Sequence, residues 1–403
     1  MGWLVAATPC IFLPMVAVIP LLLLSLANTH QATRSDSHDG FEQISRKADE
    51  ARTADHPENA IALYSEGLRL KPLWNEGWWW LGSVLYEQDR FPEAEKAFAH
   101  FVNLQRNPGP GYAFLALCEY ENRNYDRALQ HFQSWLRNGS PGDDALLDVA
   151  GYHWALLLTR QGQFTQALYL LTAKAKKLGA TPALVEAMGL SSLRMANLPE
   201  DYPSAQRERV WLAGNAAIYA ALDDLDRSDE FSRRLESRYG DEANVHYFVG
   251  TLCGFKNKLS DAEEEYKKEL RISPKHIPAM TELALVFIRE SQPEEAVPLA
   301  KQAVAMAPNN ARARYALGKS LLDTNLFEES ARELETAKRL APGSAMVRSA
   351  LSSAYRHLGR IEEAKREAAA FLSLKDKEES LAPFGEKETS QKDVPPGQPE
   401  RRR

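Results

Sequence analysis

The 403-residue chain is poor in the residues that build reactive centres. It has three cysteines, no CxxC pair, and none of its nine histidines lies in an HExxH arrangement, so no thiol redox pair and no zinc-protease helix is written in it. A P-loop, a GxSxG elbow and a GxGxxG after a strand are all missing, which removes the signatures of phosphate-cradling, α/β-hydrolase and dinucleotide chemistry. Positive charge is not in excess. With 49 Lys and Arg against 55 Asp and Glu, the formal net charge is -6, and nucleic acid, which demands a cationic field, is excluded as a general partner. These absences predict no catalytic residues, no metal site and no cofactor.

Long apolar runs are also absent, except at the start. Residues 2–27 carry no charged side chain and include VAVIPLLLLSLA, which suits the apolar region of an export signal, with Ser25, Leu26 and Ala27 as a small-x-small cleavage site. No Lys or Arg precedes that run, and Arg34, Arg46 and Lys47 follow it, a charge order that favours an uncleaved anchor with the rest of the chain in the cytoplasm. Pro9, Pro14 and Pro20 suit a long regular helix poorly. Two topologies stand: an exported protein of the periplasm or cell envelope with residues 1–27 as a signal peptide, or a membrane-anchored one. Residues 28–40 read as a linker. Residues 379–403, charged and proline-rich with almost nothing apolar, read as a disordered tail ending in Arg401, Arg402 and Arg403.

What the chain does have is a period. Ala60, Ala94 and Ala128 stand 34 residues apart, and Ala262, Ala296, Ser330 and Ala364 keep the same interval. Numbering each unit from 1, these are position 20, while Gly82, Ala116, Gly250, Ala284, Gly318 and Ser352 occupy position 8. Larger apolar residues follow a 3.6-residue stripe around both, as Trp78, Leu81, Leu85 and Phe98 do in unit two. Each unit is therefore two amphipathic helices that cross where small residues meet. Pro72, Pro274, Pro308 and Pro342 hold position 32, where a missing amide proton ends the second helix.

The pattern, seen in WWWLGSVLYEQDRFPEAEKAFAHFVNL and RYALGKSLLDTNLFEESARELETAKRLAP, resembles the tetratricopeptide repeat (TPR) family. The resemblance covers residues 41–378. It implies an all-α, right-handed superhelical α-solenoid of about ten helix-turn-helix units, one degenerate. Units one to three run without interruption. Unit four is expected to begin near Asp148, after the loop-forming RNGSPGDDAL at 138–147, and bulky Phe101 and Trp135 at position 27 are expected to push the following repeat away. Gly189 and Ala216 both look like position 8 but are only 27 residues apart, so one second helix is expected to be lost near 196–204. Cys118 and Cys253 fall inside distant first helices and read as small buried residues, and His153 and His246 as packing residues.

The resemblance also implies that first helices line a concave groove through positions 2, 5, 9, 12 and 13. Aromatics recur there: Trp79, Tyr152, Tyr247 and Tyr315 at position 5, Tyr86 and Tyr120 at position 12. Such rings serve either as anchors for a bound polypeptide or as packing between neighbouring first helices. Trp78 and Trp80 are assigned to the core and to contacts between repeats. The basic clamp by which chaperone-binding members hold a peptide carboxylate is not matched, since the equivalent positions carry Trp79, Ser83, Ala113 and Leu117. The expected function is a non-catalytic scaffold for a protein or peptide partner, exported or membrane-tethered, or an accessory subunit of an enzyme on another chain. Nothing in the sequence sets an oligomeric state.

Overall fold

The computed structural model describes residues 35–106, 108–137 and 144–380. The expected signal or anchor, most of the linker, the loop at 138–143 and the tail beyond 380 lie outside the described residues. Those described form nineteen α-helices, one short 3-10 turn and no strand. Nine helix pairs and one unpaired helix reproduce ten units with one degenerate. In the pairs α1 (Ser35–Thr53) and α2 (Pro57–Leu70), α3 (Asn75–Glu87) and α4 (Phe91–Leu104), α5 (Gly111–Glu121) and α6 (Tyr125–Arg137), and α7 (Asp144–Arg160) and α8 (Phe164–Leu178), each helix packs on its partner. The unpaired α9 (Pro182–Ser192) follows. Then come α10 (Arg207–Ala221) with α11 (Leu225–Tyr239), α12 (Val245–Phe255) with α13 (Leu259–Ile272), α14 (Ile277–Arg289) with α15 (Pro293–Met306), α16 (Ala311–Asp323) with α17 (Phe327–Leu340), and α18 (Ala345–His357) with α19 (Ile361–Ser380). The chain divides into two compact units, one ending at Gly214 and the other starting at Asn215.

Two turns generate the hairpins. Between first and second helix, position 15 takes left-handed backbone in every regular unit, as at Asp55, Asp89, Arg123, Asn257 and Asn325. The amides of positions 15 and 16 then return to carbonyls of the preceding turn: Asp89 N–H donates to Tyr86 O at 3.1 Å and Arg90 N–H to Leu85 O at 2.9 Å. This closes the helix with its last carbonyls satisfied, and Asp, Asn and Gly tolerate the conformation best. After the second helix, the position-32 prolines sit in a β-turn whose last residue caps the next first helix: the side chains of His276, Asn310 and Ser344 accept from Ala279, Ala313 and Val347 amides.

The crossing of each pair is as tight as the small residues suggest. Ala60, Ala94, Ala128 and Ala296 are sealed from solvent. Where one of the crossing residues is serine, its hydroxyl donates across the crossing: Ser228 Oγ to Ala216 O (2.9 Å), Ser330 Oγ to Gly318 O (2.6 Å) and Ser352 Oγ to Ala364 O (2.9 Å). Buried rings such as Tyr64, Phe98 and Phe132 fill the surrounding space, each contributing about 1.5–3 kcal/mol by leaving water. Position 4 ties three units to the one before them. Trp78 Nε1 donates to Pro72 O at 2.9 Å, and the guanidiniums of Arg314 and Arg348 do the same to Pro308 O and Pro342 O.

Three expectations are corrected. The first helix begins at Ser35, inside the stretch read as linker. The unit-four helix begins at Asp144, one turn before the expected start, and its extra turn buries Leu146. Bulk at position 27 does not by itself displace the next repeat: Phe101 lies against Gly111, where a Cβ would meet its ring at 2.6 Å, so the missing side chain makes the room.

The expected loss of a second helix holds. After α9 only the 3-10 turn Ser204–Gln206 intervenes before α10, and Leu198 and Tyr202 are buried from the irregular segment. The left-handed residue there is Arg194, two positions early in the repeat frame. In place of the lost helix, α10 crosses α9 directly. A Cβ on Gly189 would stand 2.0 Å from Val210 O, and one on Gly214 would stand 1.8 Å from Val185 O. This is a reciprocal backbone contact built from two V-x-x-x-G turns.

Candidate functional site

The six aromatic residues singled out by periodicity lie in different surroundings. Trp79 is half-buried, edge-on to Phe98 and Phe114 with ring centroids 5.7 and 5.4 Å away, and tilted over Phe101 at 5.1 Å. Tyr86, also half-buried, is edge-on to Phe91 at 5.5 Å and to Phe114 at 5.7 Å. Trp79 and Tyr86 therefore share Phe114 and form one aromatic cluster. Burial pushes the Tyr86 hydroxyl well above the usual tyrosine range, and the charges of Glu121 and Asp89 add to it.

Tyr120 and Tyr152 are brought together by His153. Tyr120 is buried, 4.7 Å from the His153 ring and 5.5 Å from Tyr125. Tyr152 is half-buried, stands edge-on to His153 at 5.4 Å, and its hydroxyl reaches Ala183 O at 3.5 Å. Burial, with Glu200 nearby, raises both hydroxyls. His153 is held neutral by burial, with Nδ1 2.8 Å from Val149 O, in keeping with a packing role. Of the other tryptophans, Trp80 is buried beneath the Arg52 guanidinium and Trp78 stacks on His100.

In the second unit, Tyr247 lies 5.0 Å from His276 and 6.0 Å from Tyr266, and its amide donates to Glu269 Oε2. Tyr315 packs against the cluster of Leu334, Leu351 and Tyr355. Charges on this face are compensated, as in the Arg312–Glu282 and Lys319–Asp323 pairs. In the first unit the carboxyls of Glu87 and Glu121 are pushed up by burial; the Arg52 charge opposes the rise at Glu87 while Asp55 adds to it, and Glu200 and Asp89 add to it at Glu121.

One constellation escaped sequence reasoning. His246 Nδ1 lies 2.6 Å from Glu265 Oε2 and 3.6 Å from Glu236 Oε1, so one ligand atom from each stands within metal-binding reach of the others. The ammonium of Lys268, however, pairs with Glu265 and approaches Glu236 at 3.5 Å. A cation is already supplied, and the cluster reads as an ion-pair network between α11, α12 and α13. The same cross-helix link joins positions 4 and 23 elsewhere: Arg314 to Glu333 at 2.6 Å and Arg348 to Glu367 at 2.7 Å. Reading positions 4 and 23 together for opposite charge would have revealed it. Cys118 is buried as expected, while Cys253 is half-buried with its thiol pushed up to about 11 by burial.

Family comparisons agree with this frame. Models described as tetratricopeptide repeat match residues 45–109 and 287–354. The chain is a tetratricopeptide repeat protein. No curated protein matches this TPR chain. Among solved structures, the MamA RS-1 ArsTM double mutant is 18% identical over 43% of this chain and 97% of its own, with a TM-score of 0.38. MamA 41-end from Desulfovibrio magneticus RS-1 is 19% identical over 43% of this chain and 97% of its own, with a TM-score of 0.36. YrrB, described as a TPR protein with an unusual peptide-binding site, is 19% identical over 42% and 88%, with a TM-score of 0.35.

Proposed function

We propose that this TPR protein is a non-catalytic interaction scaffold that holds a polypeptide segment of a partner protein on the ring-bearing faces of its first helices, through Trp79, Tyr86, Tyr120, Tyr152, Tyr247 and Tyr315. The observation that supports it most is that Trp79, Tyr86 and Tyr152 stay half-buried, keeping ring surface open. Large rings with few torsions give contact area at low entropic cost. Export to the periplasm or envelope is part of the proposal and rests on residues 1–27. The charge order around that segment supports the second reading, an anchored cytoplasmic adaptor, with the membrane touched only through that segment. No helix among the described residues is long and apolar enough to cross a membrane.

The test is to select binders from a displayed peptide library on the purified protein and compare them on Trp79→Ala/Tyr86→Ala. Loss of an anchor pair is expected to weaken capture about thirtyfold, equivalent to roughly 2 kcal/mol. Undiminished capture with a lowered melting temperature would assign both rings to packing. Mass spectrometry from the native host is expected to find an N-terminus near Asn28, and an intact Met1 or Gly2 in the membrane fraction would favour the anchor.

A further inference from the structure

The repeat frame exposes one seat that the chain leaves unfilled. Position 17, the first residue of a second helix, is aromatic in four units: Phe91, Tyr125, Phe164 and Phe327. Three of these rings are covered by a nitrogen-bearing group from the next unit. The Arg160 guanidinium lies 4.7 Å over Tyr125, the Arg194 guanidinium 4.6 Å over Phe164, and the His357 ring stacks on Phe327 at 4.3 Å with the planes 2° apart. Arg160 and His357 both come from position 13, the last turn of the following first helix.

At the fourth ring the chemistry is inverted. Position 13 of the unit after Phe91 is Glu121. Phe91 is half-buried and edge-on to the half-buried Tyr86, and Asp89 stands in the turn between them. Glu121 and Asp89 lie within each other's field, and no described cation pairs with Glu121. Two half-buried rings, with the Glu121 and Asp89 charges acting on the Tyr86 hydroxyl, form the complement of a guanidinium or ammonium group, by cation–π attraction and charge together.

We infer that Tyr86, Phe91, Asp89 and Glu121 form a seat for an arginine or lysine side chain of the polypeptide partner, taking the place that Arg160 and Arg194 fill for their own neighbouring rings. The inference rests on the scaffold reading and adds the partner's chemistry: a basic segment rather than an acidic or purely apolar one.

The experiment uses labelled Gly/Ser peptides carrying arginine, lysine or glutamate, titrated into the purified protein by fluorescence anisotropy at low and moderate salt. The arginine peptide is expected to bind at least about tenfold more tightly than the glutamate peptide, with salt weakening it. Glu121→Gln with Asp89→Asn is expected to lose about fivefold or more of that affinity. Glu121→Arg places in this unit the residue that unit four has naturally. It should fold, cover Phe91 from within, raise the melting temperature and abolish arginine-peptide binding. Equal binding of the arginine and glutamate peptides, no binding of the arginine peptide, or binding indifferent to Glu121→Arg would each overturn the seat. Library-selected peptides that bind the wild type but ignore these substitutions would overturn the seat while leaving the scaffold reading standing.

Discussion

Gly82 and Gly189 carry the same mark in the sequence, a glycine where two helices cross, yet they solve different problems. At the regular crossing of α3 and α4, a Cβ on Gly82 would meet the edge of the Phe98 ring at 3.0 Å, and a ring can tilt. At the crossing of α9 and α10, the obstacles at Gly189 and Gly214 are the Val210 and Val185 carbonyls, part of the helix backbones themselves. A regular unit brings together two helices joined by a turn, with side chains between them. The degenerate unit has lost its second helix, and the next first helix has moved in until the main chains touch. A small residue in a repeat frame reports close approach without reporting what approaches.

The sharpest way to break this comparison is to add one methyl group at each place. Gly189→Ala and Gly214→Ala are each expected to cost about 3 kcal/mol, since overpacking against backbone has no side chain to relax. Gly82→Ala should cost about 1 kcal/mol or less, because helix propensity gained offsets part of the ring's displacement. Urea unfolding of the three variants measures the difference. Equal costs would mean that the α9–α10 backbones are not in contact.

The two crossings also show how far the sequence could be read. Ten units, the lost helix, the proline turns and the small crossing residues were legible because each follows from a local rule repeated at a fixed interval. What takes the place of a lost helix obeys no such rule, since it depends on which exposed face is nearest. The ring-bearing face was legible as a list of residues and not as a surface. Tyr86 and Tyr120 share position 12, but the next unit sets His153 against Tyr120 and Phe114 against Tyr86. The seat at Phe91 became visible only when position 17 of one unit was compared with position 13 of the next, a pairing that requires the inter-repeat geometry. The Glu236–His246–Glu265 network was missed for the same reason, as its members come from three helices.

A second comparison lies within the regular repeats, between two ion-pair networks of opposite sign. Burial pushes the Glu367 carboxyl up, but hydrogen bonds from Arg348 and Lys338 outweigh it and hold it below the usual carboxylate range. A folded value below the unfolded one means stability present above the unfolded value, near 4.3, and lost as pH falls through the folded one. Glu236 is the reverse. Burial and the Glu265 charge raise it against Lys268 and His246, so its ionisation weakens the fold as pH rises through the raised value. Glu367→Gln is therefore expected to cost about 1.5–3 kcal/mol at neutral pH, the range for hydrogen bonds to a charged group, with the deficit shrinking in acid. Glu236→Gln should cost less than about 0.5 kcal/mol at neutral pH. Thermal melts from acid to neutral pH distinguish the two, and parallel pH profiles would show that the two networks respond alike to protonation.

The smallest effect tests whether glycine at a repeat position always marks a contact. Gly254 lies in the last turn of α12, with no atom within 4 Å of where its Cβ would stand and no left-handed backbone to preserve. Alanine there meets nothing and restricts the unfolded chain, so Gly254→Ala should stabilise the protein by about 0.4–1 kcal/mol. The sign is the discriminating quantity. A gain at Gly254 beside a loss at Gly189 would establish that the same residue is required at one crossing and merely tolerated on a regular helix. A loss at Gly254 would mean that another part of the protein comes close to that turn, and that the position-12 face of α12 is covered in solution.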